Sequence, residues 1–398
     1  MEKRLLILPS VLLFFVSNAF AEIKPYPLPD DLKVLAKKGL DGVYAIRLNE
    51  AEKYFKEAVK KYPLHPFGHF GLAMLKWAQL EYKDERSNPS LDMEYVEQTD
   101  KVAEIGEKWV DEHPNDAYAY MCLGGIYGLR ARLAITLHRW LKAYFDGRKA
   151  IRRMKRALKI KPDLYDAYLG LGMYEYYAGT LPGVVGILSK LLFISGDAGK
   201  GIEYLKICKD KGYYNATAAK LLLIEIFTQH RSKFSNPKLA VKWSKELRKE
   251  YPIHPMMHFV EIVSFYEAGM YTRVREEGFK YLENIRKKVD LYDEKYIPRA
   301  YVAVATAYMA EKKFDRALEY FQKAFSVLET SKQPGRWAVW ALVRTANVYD
   351  LLGDRQKSLE YYKRASSYED EWGFSEKLDD FIDDGFTERD MPCQLPPP

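Results

Sequence analysis

The side chains with the most capacity for chemistry are histidines, and four of them fall in two copies of one motif. Tyr62-Pro63-Leu64-His65-Pro66 is followed after two residues by His69-Phe70, and Tyr251-Pro252-Ile253-His254-Pro255 is followed in the same way by His258-Phe259. Two histidines four residues apart share a helix face. Glu261 three residues further on completes an H-x3-H-x2-E set that could hold a metal ion. A metal-binding protein or enzyme using His254, His258 and Glu261 is therefore the alternative reading. The same positions also have a structural use. His65 and His254 stand immediately before a proline that opens a helix, where a capping side chain belongs. His69 and His258 lie one turn later, at a packing position. The structural use is the expectation, with no metal and no cofactor. The sequence holds no HExxH, no G-x-S-x-G and no CxxC. The run Gly196 to Gly201 has two residues between its glycines where a phosphate loop needs four, and no Ser or Thr follows Lys200. No enzymatic activity is expected. Cys122, Cys208 and Cys393 are too few for a disulfide framework.

The elements around these histidines are regular. Each motif proline follows one amphipathic run and precedes another. Ala51, Phe55, Ala58 and Pro63 show the spacing A-x3-F-x2-A-x4-P. Ala150, Met154, Ala157 and Pro162 repeat it with Met for Phe, and Ala317, Phe321 and Ala324 repeat it without the proline. Large and small residues are paired nearby: Tyr120 with Gly124, Tyr168 with Gly172, Tyr301 with Ala305, Leu342 with Ala346. A small residue lets two helices approach, a large one fills the gap between units, and the proline ends one helix and starts the next. The pattern resembles the tetratricopeptide repeat, W-x2-L-G-x2-Y, then A-x3-F, then P, over residues 30 to 368. It departs from that pattern where Glu329 replaces the proline and Glu175 the tyrosine, and in the length of its units. The resemblance implies an all-α fold, a right-handed superhelical α-solenoid of about eight TPR-like helix pairs. It also implies a non-catalytic interaction scaffold. A finer likeness is to exported bacterial repeat proteins of unassigned function.

The second helices are placed at Ala51, Val102, Ala150, Gly201, Ala240, Val274, Ala317 and Ser358. From the large first-helix residue to the small second-helix one the spacing is 16 for His258–Val274, Tyr301–Ala317 and Leu342–Ser358. It is 33 for His69–Val102, 30 for Tyr120–Ala150 and 33 for Tyr168–Gly201. Three consecutive units thus carry insertions, near 82–93, 131–149 and 179–197, which a stacked array lines up along one edge. Between Arg130 and Lys161 there are twelve Lys and Arg and one acid, Asp146. Arg139, Lys142, Arg148 and Arg152, with Leu188, Leu191 and Leu192 of the third insertion, form a candidate basic and apolar edge for an anionic membrane or envelope polymer. The resemblance places a second candidate site, a groove for a protein or peptide partner, on first-helix positions. Here those are Tyr118, Met121, Met173, Tyr176 and Tyr177, an aromatic and apolar set.

The two ends differ from the middle. Residues 1–21 have a positive start at Lys3 and Arg4, an apolar run and Ala19-Phe20-Ala21 before Glu22, the pattern of a signal peptide. The expectation is an exported protein, periplasmic or extracellular, with membrane association through the basic edge. No Cys follows the cleavage site, so it is not expected to be a lipoprotein, and export disfavours nucleic acid as a partner. Residues 22–368 are assigned to the array. Residues 369–398 are expected to be an acidic capping helix and a disordered Pro-rich tail that competes for the basic edge. The bulk numbers agree with a packed, water-facing array. Apolar residues are 48% of 398, tyrosines number 31 and mean hydropathy is −0.36. No apolar run reaches the ~18 residues of a membrane span.

Overall fold

The computed structural model describes residues 23–79, 89–136, 139–180, 196–329, 335–368 and 375–395. The expected signal peptide at 1–21 lies outside the described residues, as do Leu188, Leu191 and Leu192. All regular structure among the described residues is helical, in seventeen α-helices with short 3-10 turns. They follow in pairs: α1 (Asp30–Tyr44) with α2 (Leu48–Lys61), α3 (Pro66–Ala78) with α4 (Pro89–Glu112), α5 (Ala117–Thr136) with α6 (Trp140–Ile160), and α7 (Tyr168–Gly179) with α8 (Ala198–Lys211). Next come α9 (Ala216–Phe227) with α10 (Pro237–Glu250), α11 (Pro255–Glu267) with α12 (Tyr271–Arg286), α13 (Ile297–Ala310) with α14 (Phe314–Phe325), and α15 (Arg336–Leu351) with α16 (Arg355–Ser366). A last helix, α17 (Ser375–Asp384), packs on α16.

Local sequence explains where these helices begin. Prolines 66, 237, 255 and 298 sit in first turns, where the missing amide costs nothing. Asp197, Asn236 and Asp354 accept backbone amides of Lys200, Leu239 and Lys357 at 3.1 to 3.2 Å, satisfying first-turn donors. The small and large residues interlock as the spacing demands. Phe55 of α2 wedges between α1 and α3, and a β-carbon on Gly71 would lie 2.1 Å from its ring. Gly201 of α8 meets the backbone of α7, where a β-carbon would lie 2.5 Å from the Tyr176 nitrogen. Val102, Gly201 and Val274 all fall on second helices, as their spacing suggested.

Consecutive helices pack on one another, and first helices also touch across units: α1 with α3, α3 with α5, α11 with α13, and α13 with α15. First helices therefore line the inner face. Three buried clusters follow the array, one from α1 to α7, one from α7 to α11 and one from α11 to the C-terminus.

The tail departs from expectation. Residues 385–395 are ordered against the array, and Phe386, Cys393 and Leu395 are buried. Acidity and prolines suggested disorder, but apolar residues spaced two apart fit an extended strand with one side against a surface. Among the described residues the tail's polar partners include Arg231, Tyr266, Lys312, Arg344 and Asp350, and none is a cation of 130–161. It is not placed to compete for the basic edge.

Candidate functional site

The C-terminal ends of α11 and α13 and the middle of α15 lie side by side on the inner face, and the tail crosses all three. Tyr266 Oη of α11 donates to the Cys393 carbonyl at 2.5 Å. Arg344 of α15 donates from Nη2 to the Gln394 carbonyl at 2.7 Å. Arg231, after α9, donates to the Arg389 carbonyl at 2.8 Å, and Lys312, after α13, pairs with Glu388 at 2.6 Å. Cys393 Sγ lies 4.0 Å from Met309 Sδ of α13. Side chains alternate along the segment: Cys393 and Leu395 face in, Pro392 and Gln394 face out. The groove therefore reads backbone carbonyls and two apolar side chains at i and i+2, the mode by which extended peptides are held.

Its electrostatics suit a backbone guest. Arg344 is 4% exposed and has no carboxylate within ion-pair distance among the described residues. It donates to Asn347 Oδ1 at 3.0 Å and lies over the Trp340 ring at 4.9 Å. A buried guanidinium needs acceptors to offset its lost hydration, and the Gln394 carbonyl is one of them. Burial pushes the Glu267 carboxyl up to about 7, an effect the facing Leu395 amide opposes. His230 Nδ1 lies 3.2 Å from the same carboxyl group.

The residues expected to line a groove do not form one surface. Met121 and Tyr176 are 4% and 2% exposed and belong to the packed core, which removes them as contact residues. Tyr176 Oη donates to Gln229 Oε1 at 2.7 Å. Tyr118 is half-buried, stacked on Phe67 and edge-on to Tyr214, and Met173 is half-buried beside α8 and α9. Tyr177 alone of the five is exposed. The cause is the long side chain, which reaches the interface between units before it reaches the inner surface. Arg139, Lys142, Arg148 and Arg152 are all exposed on or beside α6.

The histidines have structural partners. His65 Nδ1 accepts from the Phe67 amide at 3.1 Å, and His254 Nδ1 accepts from Met256 and Met257 at 3.1 and 3.3 Å. His258 engages both nitrogens, Nδ1 with Tyr292 Oη at 2.8 Å and Nε2 with Glu277 Oε2 at 3.2 Å. Neither nitrogen is left for a metal, and no group of three His, Cys, Asp or Glu comes together as a metal set among the described residues. The three cysteines are unpaired and buried, and burial pushes the Cys122 and Cys208 thiols well up.

The sequence offered two signals for the C-terminal groove: Arg344 and Asn347 one turn apart in an apolar helix, and the alternation Cys393, Leu395. Both are short, and the first gains meaning only when three helices are placed side by side.

Paired helices with touching first members define an α-solenoid. Residues 296–367, which hold α13 to α16, match the family model described as Tetratricopeptide repeat. That segment is a tetratricopeptide-repeat array, and the same pairwise helix packing runs back from it to α1. Similar solved structures include a tetratricopeptide repeat protein from Parabacteroides merdae at 14% identity, covering 89% of this chain and 98% of that one, with a TM-score of 0.33. A human IFIT1 dimer with PPP-AAAA is 14% identical over 86% of this chain and 82% of its own, with a TM-score of 0.42. Yeast Tom70 is 12% identical over 85% and 78%, with a TM-score of 0.32. No curated protein sequence matches the chain.

Proposed function

We propose that the chain is a non-catalytic, exported interaction scaffold whose C-terminal groove holds an extended segment of a partner polypeptide. The observation that carries this reading is the seating of residues 388–395 across α11, α13 and α15. Three backbone carbonyls of that segment accept from Arg231, Tyr266 and Arg344. Recognition through carbonyls does not depend on the guest's side chains. A partner segment with two small or apolar residues at i and i+2 can take the same place. The tail is then a tethered occupant, and a partner must displace it. The export part rests on the sequence of residues 1–21, and cell fractionation of the tagged chain tests it.

The groove is tested by removing residues 388–398 and adding a fluorescent peptide with the sequence of 385–395. The shortened chain is expected to bind the peptide, and the full chain to bind it far more weakly because its own tail competes. Arg344→Ala and Tyr266→Phe in the shortened chain should each weaken binding. A shortened chain with unchanged helix content that binds no peptide would overturn the reading.

A further inference from the structure

α6 is longer than most of its neighbours at 21 residues, and one face of it is exposed along most of its length. Leu141, Phe145, Arg148, Arg152, Lys155 and Lys159 follow at intervals of four, three, four, three and four. That spacing places them within one narrow stripe of a helix of ~3.6 residues per turn. All six are exposed. The opposite face, with Ala150, Met154 and Ala157, is buried. The stripe is ordered along its length: apolar at the end where α6 meets α5, cationic over the following turns.

The apolar end is enlarged by its neighbours. Ile135 of α5 is 51% exposed, Trp140 61%, Leu141 73% and Phe145 60%. Single exposed apolar residues need no explanation, but four of this size within eleven positions do. The cations beside them are not consumed internally. Asp146 is the only acid between Arg130 and Lys161, and it is buried against Arg130 at 3.5 Å and Lys142 at 3.6 Å. No carboxylate among the described residues lies within ion-pair distance of Arg139, Arg148, Arg152, Lys155 or Lys159. Among the described residues Arg148 donates to the Tyr144 hydroxyl, at 2.8 Å.

We propose that this stripe docks the protein on the surface of an anionic lipid bilayer, with α6 lying along it. Lys and Arg meet the headgroups, and the Trp140, Leu141 and Phe145 side chains enter the boundary between headgroups and acyl chains. Charge and apolar surface together select the bilayer among anionic partners. A nucleic acid or an acidic polypeptide would pair with the cations but leave the apolar end in water. A bilayer satisfies both, and an amphipathic helix with cations and an aromatic end is the form such contacts take. No helix among the described residues is long and apolar enough to cross a membrane, so the contact is peripheral. It is separate from the C-terminal groove and stands or falls independently of it.

The test is co-sedimentation of the full chain with vesicles rich in phosphatidylglycerol and with vesicles of phosphatidylcholine alone. Binding is expected to the anionic vesicles only, and to fall steeply between ~0.05 and ~0.5 M salt. R148E/R152E/K155E/K159E should weaken it by on the order of a hundredfold or more. L141S/F145S should weaken it by about tenfold while leaving the salt dependence. All these positions are exposed, so circular dichroism should be unchanged, and peptide binding in the C-terminal groove should persist in the charge-reversed chain after removal of residues 388–398. Equal binding to neutral vesicles, no binding to anionic vesicles at low salt, or unchanged binding after charge reversal would overturn the proposal. So would capture of single-stranded RNA or polyglutamate by a chain that leaves the vesicles alone.

Discussion

The two copies of the Tyr-Pro-x-His-Pro motif show how far identical local sequence carries and where it stops. In both, the histidine backbone amide donates to the tyrosine carbonyl at 3.2 Å, and Nδ1 of the ring caps the helix that the proline opens. The second nitrogens have different fates. In the first copy His65 Nε2 meets Asp116 Oδ2 at 3.1 Å, and both are buried. Burial alone would raise the Asp116 carboxyl, but hydrogen bonds from His65, the Ala119 amide and the Trp109 indole hold it below the usual range. In the second copy the His254 ring meets the Tyr44 backbone instead, and burial pushes its imidazole down to about 4. The later histidines diverge too: His69 Nε2 bonds the Pro63 carbonyl at 2.9 Å, whereas His258 joins Tyr292 to Glu277. A cap is a local device. What lies behind it is supplied by another unit.

Three measurements would break or sharpen that comparison. The largest effect is expected for Asp116→Ala, which leaves the Trp109 indole, the Ala119 amide and His65 without their buried acceptor. It should cost about 4 kcal/mol in urea unfolding. A loss near that of a surface substitution would show that the carboxylate is not what distinguishes the first copy.

The second effect depends on pH and belongs to the second copy. Below pH 6.5 the unfolded chain protonates this imidazole, whereas folded His254 stays neutral until about pH 4. The unfolded state therefore gains protons first, and stability is present above pH 6.5 and lost as pH falls through the folded value. The loss should approach about 3 kcal/mol. His254→Asn, which keeps a capping oxygen, should flatten the pH dependence of the urea midpoint between pH 6.5 and 4. An unchanged slope would place the acid sensitivity elsewhere. Glu277, held down to about 2 mainly by the His258 hydrogen bond, adds a loss of the same sign at lower pH.

The smallest effect is expected from metal. Zinc added to the purified protein should leave its melting temperature unchanged, because His254 Nδ1 and both His258 nitrogens are engaged. A zinc-dependent rise that disappears in His258→Ala would instead make the second copy a metal site.

Much of the fold could be read directly. The second-helix positions, the prolines at helix starts and the capping histidines all follow from spacing within about one turn. The candidate site was read less well. Tyr118, Met121, Met173, Tyr176 and Tyr177 were assigned to a groove because the repeat pattern puts them on first helices. The pattern does not say that Met121 and Tyr176 are consumed in the core. The basic and apolar character of α6 was legible from the absence of acids. That Leu141, Phe145 and four cations share one exposed face required the helix phase. The tail has the composition of a solvated segment, whereas its partners Tyr266, Met309 and Arg344 lie 127, 84 and 50 residues away.

The sequence by itself determined the helices, their pairing and their caps, because those depend on side-chain periodicity and on hydrogen bonds reaching two to four residues. Only the tertiary structure decided that Asp116 stands behind His65 and the Tyr44 backbone behind His254, and that Cys393 and Leu395 are buried. Those outcomes depend on which inner faces adjoin. The stacking of successive units brings α11, α13 and α15 into one surface, and a segment of eight residues can cover that surface only once it exists.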